Sequence, residues 1–143
     1  MHENCGVAAV IDLEGKIDVV PLAVELAQSL QHRGELGAGI AWKRHDEKPL
    51  IDSLKDNGLV RDVLSIERLR AKAAHGSVAI AHTRYATNES LQPYLVQPFQ
   101  YEHDDPRQEF AFGFNGNLPD YRSHEHALRR DKCAPRFEGD TEI

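Results

Sequence analysis

The apolar residues of this chain come in short runs, each closed by glycine, proline, asparagine or a cluster of charges, and this punctuation limits what it can fold into. Val7-Ala8-Ala9-Val10-Ile11 and Val78-Ala79-Ile80-Ala81 are among the longest of them. Both fall far short of the roughly 18 apolar residues of a spanning helix, and the chain start lacks a basic segment followed by an apolar one. A membrane protein is therefore not expected, and the cytoplasm is the expected location. Runs of this length bounded by turn residues read as strands. With 143 residues, 41% hydrophobic and 28% charged, the chain is one soluble domain large enough to bury a core. A formal charge of −6 and a pI near 5.7 argue against a nucleic-acid partner, which calls for a basic patch or stripe. Cys5 and Cys133, without CxxC spacing, provide neither a disulfide framework nor a cysteine-based zinc or iron–sulfur site.

A first strand over about 5–12 ends in Asp12-Leu13-Glu14-Gly15-Lys16, a polar turn. The spacing of Leu22, Leu26, Ala27 and Leu30 predicts a helix over about 21–32, with Pro21 in its first turn and Gly34 ending it. Gly37-Ala38-Gly39-Ile40-Ala41-Trp42 is a second strand, and its small residues predict a backbone packed closely against something. A charged loop at 43–48, a third strand at 50–54 and a turn at Asn57-Gly58 follow. A second helix spans about 61–74, with Val63, Ile66 and Leu69 on one side. Strands over 77–83 and 110–114 flank a long polar loop, 88–108, that contains Pro93, Pro98 and Pro106. Strands outnumber helices and are joined more often by hairpins than by helices, which predicts an α+β fold with largely antiparallel sheets.

Three segments carry side chains with chemical potential. Cys5 opens the first strand four residues from the start, so loss of residues 1–4 would give one residue both a thiol and a free α-amine. An α-amine, with a pKa of about 7.7–8.0, can take the proton of a nucleophilic thiol near neutral pH. The competing reading is a small buried thiol in a core strand. In His82-Thr83-Arg84-Tyr85-Ala86-Thr87, at a strand end, Arg84 could fork onto a carboxylate with two parallel hydrogen bonds or form an ordinary surface ion pair. In Asn115-Gly116-Asn117-Leu118 an Asn amide and a Gly N–H could hold an oxyanion, or Asn-Gly could simply be a hairpin turn. His124-Glu125-His126 and Glu102-His103-Asp104-Asp105 read as a solvated helix face and a solvated loop rather than metal sites, and Cys133 as an incidental thiol.

Cys5-Gly6-Val7, Leu30-Gln31-His32-Arg33-Gly34 with Gly37-Ala38-Gly39-Ile40 behind it, His82-Thr83-Arg84-Tyr85-Ala86-Thr87, Asn115-Gly116-Asn117-Leu118 and Asp140-Thr141-Glu142 stand in the order found in one family. Together they resemble the glutaminase domain of the class II glutamine amidotransferases, across 5–142. Leu-Gln-His-Arg-Gly, and Asn57-Gly58-Leu59-Val60 followed by Asp62-Val63-Leu64, are most similar to the amidophosphoribosyltransferase branch. The glucosamine-6-phosphate synthase branch usually has Tyr-Arg-Gly at His32-Arg33-Gly34 and ranks lower. The resemblance implies an N-terminal-nucleophile αββα sandwich, two antiparallel sheets between helical layers. It implies that Cys5 attacks the glutamine carboxamide with its own freed α-amine as base and then acid, while Asn115 and the Gly116 N–H hold the oxyanion. Arg84 would grip the α-carboxylate, Tyr85 and Thr87 would shape the pocket, Asp140 would bind the α-ammonium and Arg33 would support the cysteine. A zwitterionic amino acid independently calls for one fixed cation and one fixed anion. The implied partners are glutamine and an acceptor domain in cis or in trans, with 5-phosphoribosyl 1-pyrophosphate as acceptor and a homo-oligomeric full-length enzyme. No cofactor is implied for this chain, Mg2+ being expected only for a phosphoribosyltransferase domain.

Some features depart from that pattern. Phe114 stands where the family commonly has His, and Asn88-Glu89-Ser90 where it often has a small residue and Gly. The family's domain continues past the Asp140-Thr141-Glu142 motif with a helix and further strands, so residues 5–143 are expected to be a C-terminally incomplete glutaminase domain behind a leader at 1–4. The alternative is a truncated, non-catalytic module that binds glutamine or assembles with a partner. Presence of all of Cys5, Arg84, Asn115, Gly116 and Asp140 favours the enzyme, because a degenerate copy would lose its nucleophile first.

Overall fold

Strand alternation decides how the layers stack. In the computed structural model, which describes residues 5–44, 50–85 and 95–116 with Ser123, His126 and Arg130, four strands form one antiparallel sheet. They are β1 (Gly6–Ile11), β2 (Gly37–Lys43), β3 (Ile51–Asn57) and β4 (Val78–Arg84), in the order β1-β4-β2-β3. A second antiparallel sheet pairs β5 (Phe99–Tyr101) with β6 (Phe110–Phe112). The helices are α1 (Val20–Ser29), α2 (Val60–Val63) and α3 (Ile66–Ala71), with a 3-10 turn at Gln31–Arg33.

Side chains of successive strand residues point to opposite faces. Ala38, Ile40 and Trp42 of β2, with Leu54 of β3 and Ala79 and Ala81 of β4, meet Val20, Ala23 and Ala27 of α1 and Val63 of α2 in one buried cluster. The other face carries the second sheet. There Ser53 Oγ donates to Gln100 Oε1 at 2.9 Å, and Gln100 Nε2 donates to the Ile51 carbonyl at 2.7 Å. Lys55 Nζ donates to the Pro98 carbonyl at 3.0 Å and lies 5.3 Å from the centre of the Phe99 ring. Helices, first sheet and second sheet thus lie in succession, and the two antiparallel sheets expected of the sandwich are present. Among the described residues no helix is long and apolar enough to cross a membrane.

The small residues of β2 have the expected cause. A Cβ on Gly39 would run into the Gln97 carbonyl, and one on Gly37 would meet the Val96 side chain at 2.9 Å. The backbone at 96–97 therefore lies directly on the sheet, and Leu95, Val96, Gln97 and Phe99 are all buried.

Four expectations need correction. The helix over 21–32 starts at Val20 and ends at Ser29, after which the chain tightens into the 3-10 turn. The single helix over 61–74 is two, because Ser65 leaves helical geometry and caps α3 by accepting the Arg68 N–H at 3.4 Å. β3 runs on to Asn57 as a sheet edge, where Asp52 faces Arg44 and Lys72 and Asp56 faces Arg68. The long loop contains β5, three residues that are too few to show periodicity.

Gly39→Ala should destabilise the fold by about 1–3 kcal/mol, since the new methyl must displace backbone rather than a flexible side chain. The midpoint of urea unfolding measures this, and an unshifted midpoint would mean that the chain at 97 is not seated on β2.

Candidate active site

Cys5 lies one residue before β1 and is buried. Gly6 pairs with Thr83, so β1 runs alongside the end of β4, and the thiol sits against the residue that follows β4. Tyr85 N–H donates to Cys5 Sγ at 3.5 Å, and the thiol reaches the Tyr85 carbonyl at the same distance. Arg33 Nε donates to the Cys5 carbonyl at 3.2 Å, which places Arg33 beside the cysteine.

The segment 30–34 forms the seat of the cysteine. The Leu30 carbonyl accepts the Thr83 hydroxyl at 3.3 Å. Gln31 spans two elements, with its Nε2 on the Gly34 carbonyl and its Oε1 on the Val60 N–H, both at 2.6 Å. Gly34 presses on β4, where a Cβ would come within 2.5 Å of the Arg84 carbonyl carbon. His32 is exposed, and its Nδ1 lies 3.0 Å from the local Ser29 carbonyl.

Alternation puts Ile80, His82 and Arg84 of β4 on the face away from α1, along with Val7 of β1, the cross-strand partner of His82. Arg84 is buried rather than at the surface and stands opposite Gly37 in register. His82 stands opposite Gly39 and is 1% exposed. Burial pushes its imidazole down to about 4; the Phe114 carbonyl opposes this, and the Arg84 and Lys55 cations add to it. The ring is therefore neutral at pH 7. Its Nε2 lies 3.2 Å from the Phe114 carbonyl, which only accepts, so the proton belongs on Nε2.

The Phe114 N–H in turn donates to Gln97 Oε1 at 2.6 Å. Asn115 and Gly116 follow directly, past the end of β6, and both are exposed. Cys5, Arg33, Arg84 and Tyr85 are thus brought together around the start of β1 and the end of β4. Asn115 and Gly116 are tethered to the same face through Phe114. Thr87 and Asp140 lie outside the described residues, as do Cys133, His124 and Glu125.

No family model matches the chain. It is 30% identical over 143 residues to amidophosphoribosyltransferase 3, chloroplastic, of Arabidopsis thaliana, an alignment covering 100% of this chain and 25% of that protein. It is 36% identical over 114 residues to the amidophosphoribosyltransferase of Pseudomonas aeruginosa, over 80% of this chain and 21% of that one. A solved structure described as that of the allosteric regulatory enzyme of purine biosynthesis superposes with a TM-score of 0.76 at 26% identity, over 97% of this chain and 28% of the other. The chain is a homologue of the amidophosphoribosyltransferases. It spans a quarter or less of the length of these curated relatives.

Within this amidotransferase family, two residues had no role in the sequence reading. His82 was visible in the His-Thr-Arg motif, and its two-residue offset from Arg84 was a usable signal that both share a face. Gln97 carried no signal, because it sits in a segment read as loop. Among the described residues no cluster of His, Cys, Asp and Glu is placed to hold a metal ion.

The unfolded chain takes up a proton at His82 near pH 6.5, and the folded amidotransferase homologue does so only near 4. Stability should therefore fall as pH drops through 6.5 toward 4, by on the order of 3 kcal/mol, with no dependence from this group above 6.5. Thermal midpoints of the wild type and His82→Gln across that window isolate the effect from the carboxylates. Parallel curves for the two proteins would show that His82 is not held neutral.

Proposed function

We propose that this chain is the glutamine-hydrolysing unit of a class II amidotransferase, which converts glutamine to glutamate and ammonia and supplies the ammonia to an acceptor domain in cis or in trans. The carrying observation is a buried thiol that receives the Tyr85 N–H while its own backbone is held by Arg33, one strand away from the buried Arg84. Removal of residues 1–4 would free the Cys5 α-amine as base. The thiol proton passes to that amine as sulfur bonds to the side-chain carbonyl carbon of glutamine. Asn115 and the Gly116 N–H would hold the oxyanion of the tetrahedral adduct. The C–N bond then breaks, the amine returns its proton to the departing ammonia, and water hydrolyses the thioester to glutamate and free thiol.

Arg84 would hold the α-carboxylate and Asp140 the α-ammonium, with Tyr85 and Thr87 shaping the pocket. The hydrolysis draws on no cofactor. The acceptor that fits the amidophosphoribosyltransferase likeness is 5-phosphoribosyl 1-pyrophosphate, with Mg2+ serving that half of a homo-oligomeric enzyme in the cytoplasm.

Intact mass spectrometry before and after treatment with 6-diazo-5-oxonorleucine tests the reading. The expected result is loss of residues 1–4 and one adduct on Cys5, absent in Cys5→Ser. A chain with its leader intact and no adduct would count against an enzyme and in favour of a non-catalytic glutamine-binding or assembly module; hydrolysis at a normal rate with the leader in place would refute the role of the α-amine. Arg84→Lys should raise KM for glutamine by about tenfold or more with a smaller change in kcat, because an ammonium cannot reproduce two parallel hydrogen bonds to a carboxylate.

A further inference from the structure

Phe114 is held by both of its backbone polar groups, and neither partner is local in sequence. Its N–H donates to Gln97 Oε1 at 2.6 Å and its carbonyl accepts from His82 Nε2 at 3.2 Å. Both side chains are buried, at 2% and 1% exposure. Both come from backbone packed at Gly39: His82 stands opposite it in the ladder, and the Gln97 carbonyl lies against it. A short chain segment just past a three-residue strand is thus clamped to the central sheet.

The consequence lies one residue further on. The 114–115 peptide is planar, so fixing the Phe114 carbonyl also fixes the direction of the Asn115 N–H. Where Asn115 leaves the clamp, and hence where its amide and the Gly116 N–H point, then depends on His82 and Gln97. Donors to an oxyanion act only when they are aimed in advance, to within about 0.5 Å. We infer that His82 and Gln97 are positioning residues for the Asn115-Gly116 oxyanion site, acting through the Phe114 backbone without touching substrate. This rests on the hydrolytic reading above and names the residues that set its transition-state geometry.

A role in aiming donors at an oxyanion predicts loss of kcat with KM for glutamine preserved, since the oxyanion exists only in the transition state. His82→Phe and Gln97→Met each remove one tether while keeping an apolar body of similar size. Each should lower kcat for glutamine hydrolysis by about tenfold or more, approaching the 10²–10³ seen when an oxyanion donor itself is deleted, with KM changed by less than about threefold. His82→Gln, whose amide can donate where Nε2 did, should recover most of the loss. Alkylation of Cys5 by iodoacetamide should proceed at the wild-type rate in all three, because the nucleophile is untouched. An active wild type whose His82→Phe and Gln97→Met variants keep their kcat, or lose it together with KM and the alkylation rate, would overturn the inference alone. A processed wild type that does not hydrolyse glutamine would overturn the functional reading and this inference with it. Hydrogen exchange on the wild type needs no variant: the Phe114 amide should be protected, and exchange at the rate of an open loop would refute the clamp.

Discussion

β4 is bonded on both sides, to β1 and to β2, and everything else in the molecule depends on what its two faces carry. Ala79, Ala81 and Thr83 point to the helices, where the first two join the core and the third ties down the end of the α1 segment at Leu30. Ile80, His82 and Arg84 point the other way. A central strand has no freedom to slip, because moving its register by one residue would send the histidine and arginine into the aliphatic cluster and the alanines into the site. The apolar core therefore fixes the polar face at the same time as it fixes itself.

That polar face is costly to build. His82 and Arg84 are both buried, two positions apart on one strand, and an imidazolium next to a guanidinium there would leave two cations in a region of low dielectric. The molecule resolves this by keeping the histidine neutral and giving its one N–H a carbonyl to bond. Arg84 keeps the charge. Cys5 lies across from the same strand end, so thiol and guanidinium are spaced by sheet geometry rather than by loop packing, which is the more precise of the two.

Legibility in the sequence followed the range of the interaction. The strands β1, β2 and β4 were visible because alternation and small residues are local signals, and Gly39 announced a close backbone approach before the approaching segment was known. The segment 30–34 was recognised as a motif, but its meaning is non-local: Gln31 reaches Val60, Arg33 reaches Cys5, and Gly34 makes room for Arg84. Nothing in five consecutive residues states those destinations. β5 was missed for the opposite reason, since three residues beginning just after a proline carry no period, and with it went Gln97. His82 was quoted inside a motif whose interest lay two residues later, although strand alternation alone would have placed it on the Arg84 face.

Phe114 shows how a position can be held in place whatever its side chain. The resemblance implies His there, and a side chain that took part in the chemistry would make Phe a serious substitution. In this molecule, however, the tethers reach the backbone of residue 114 and not its side chain. Backbone N–H and C=O are the same in every residue except proline, which lacks the N–H. The clamp thus constrains where Asn115 starts while leaving the identity of the preceding side chain open. The two buried partners, His82 and Gln97, carry the constraint instead, since replacing either would leave one backbone group of residue 114 without that partner.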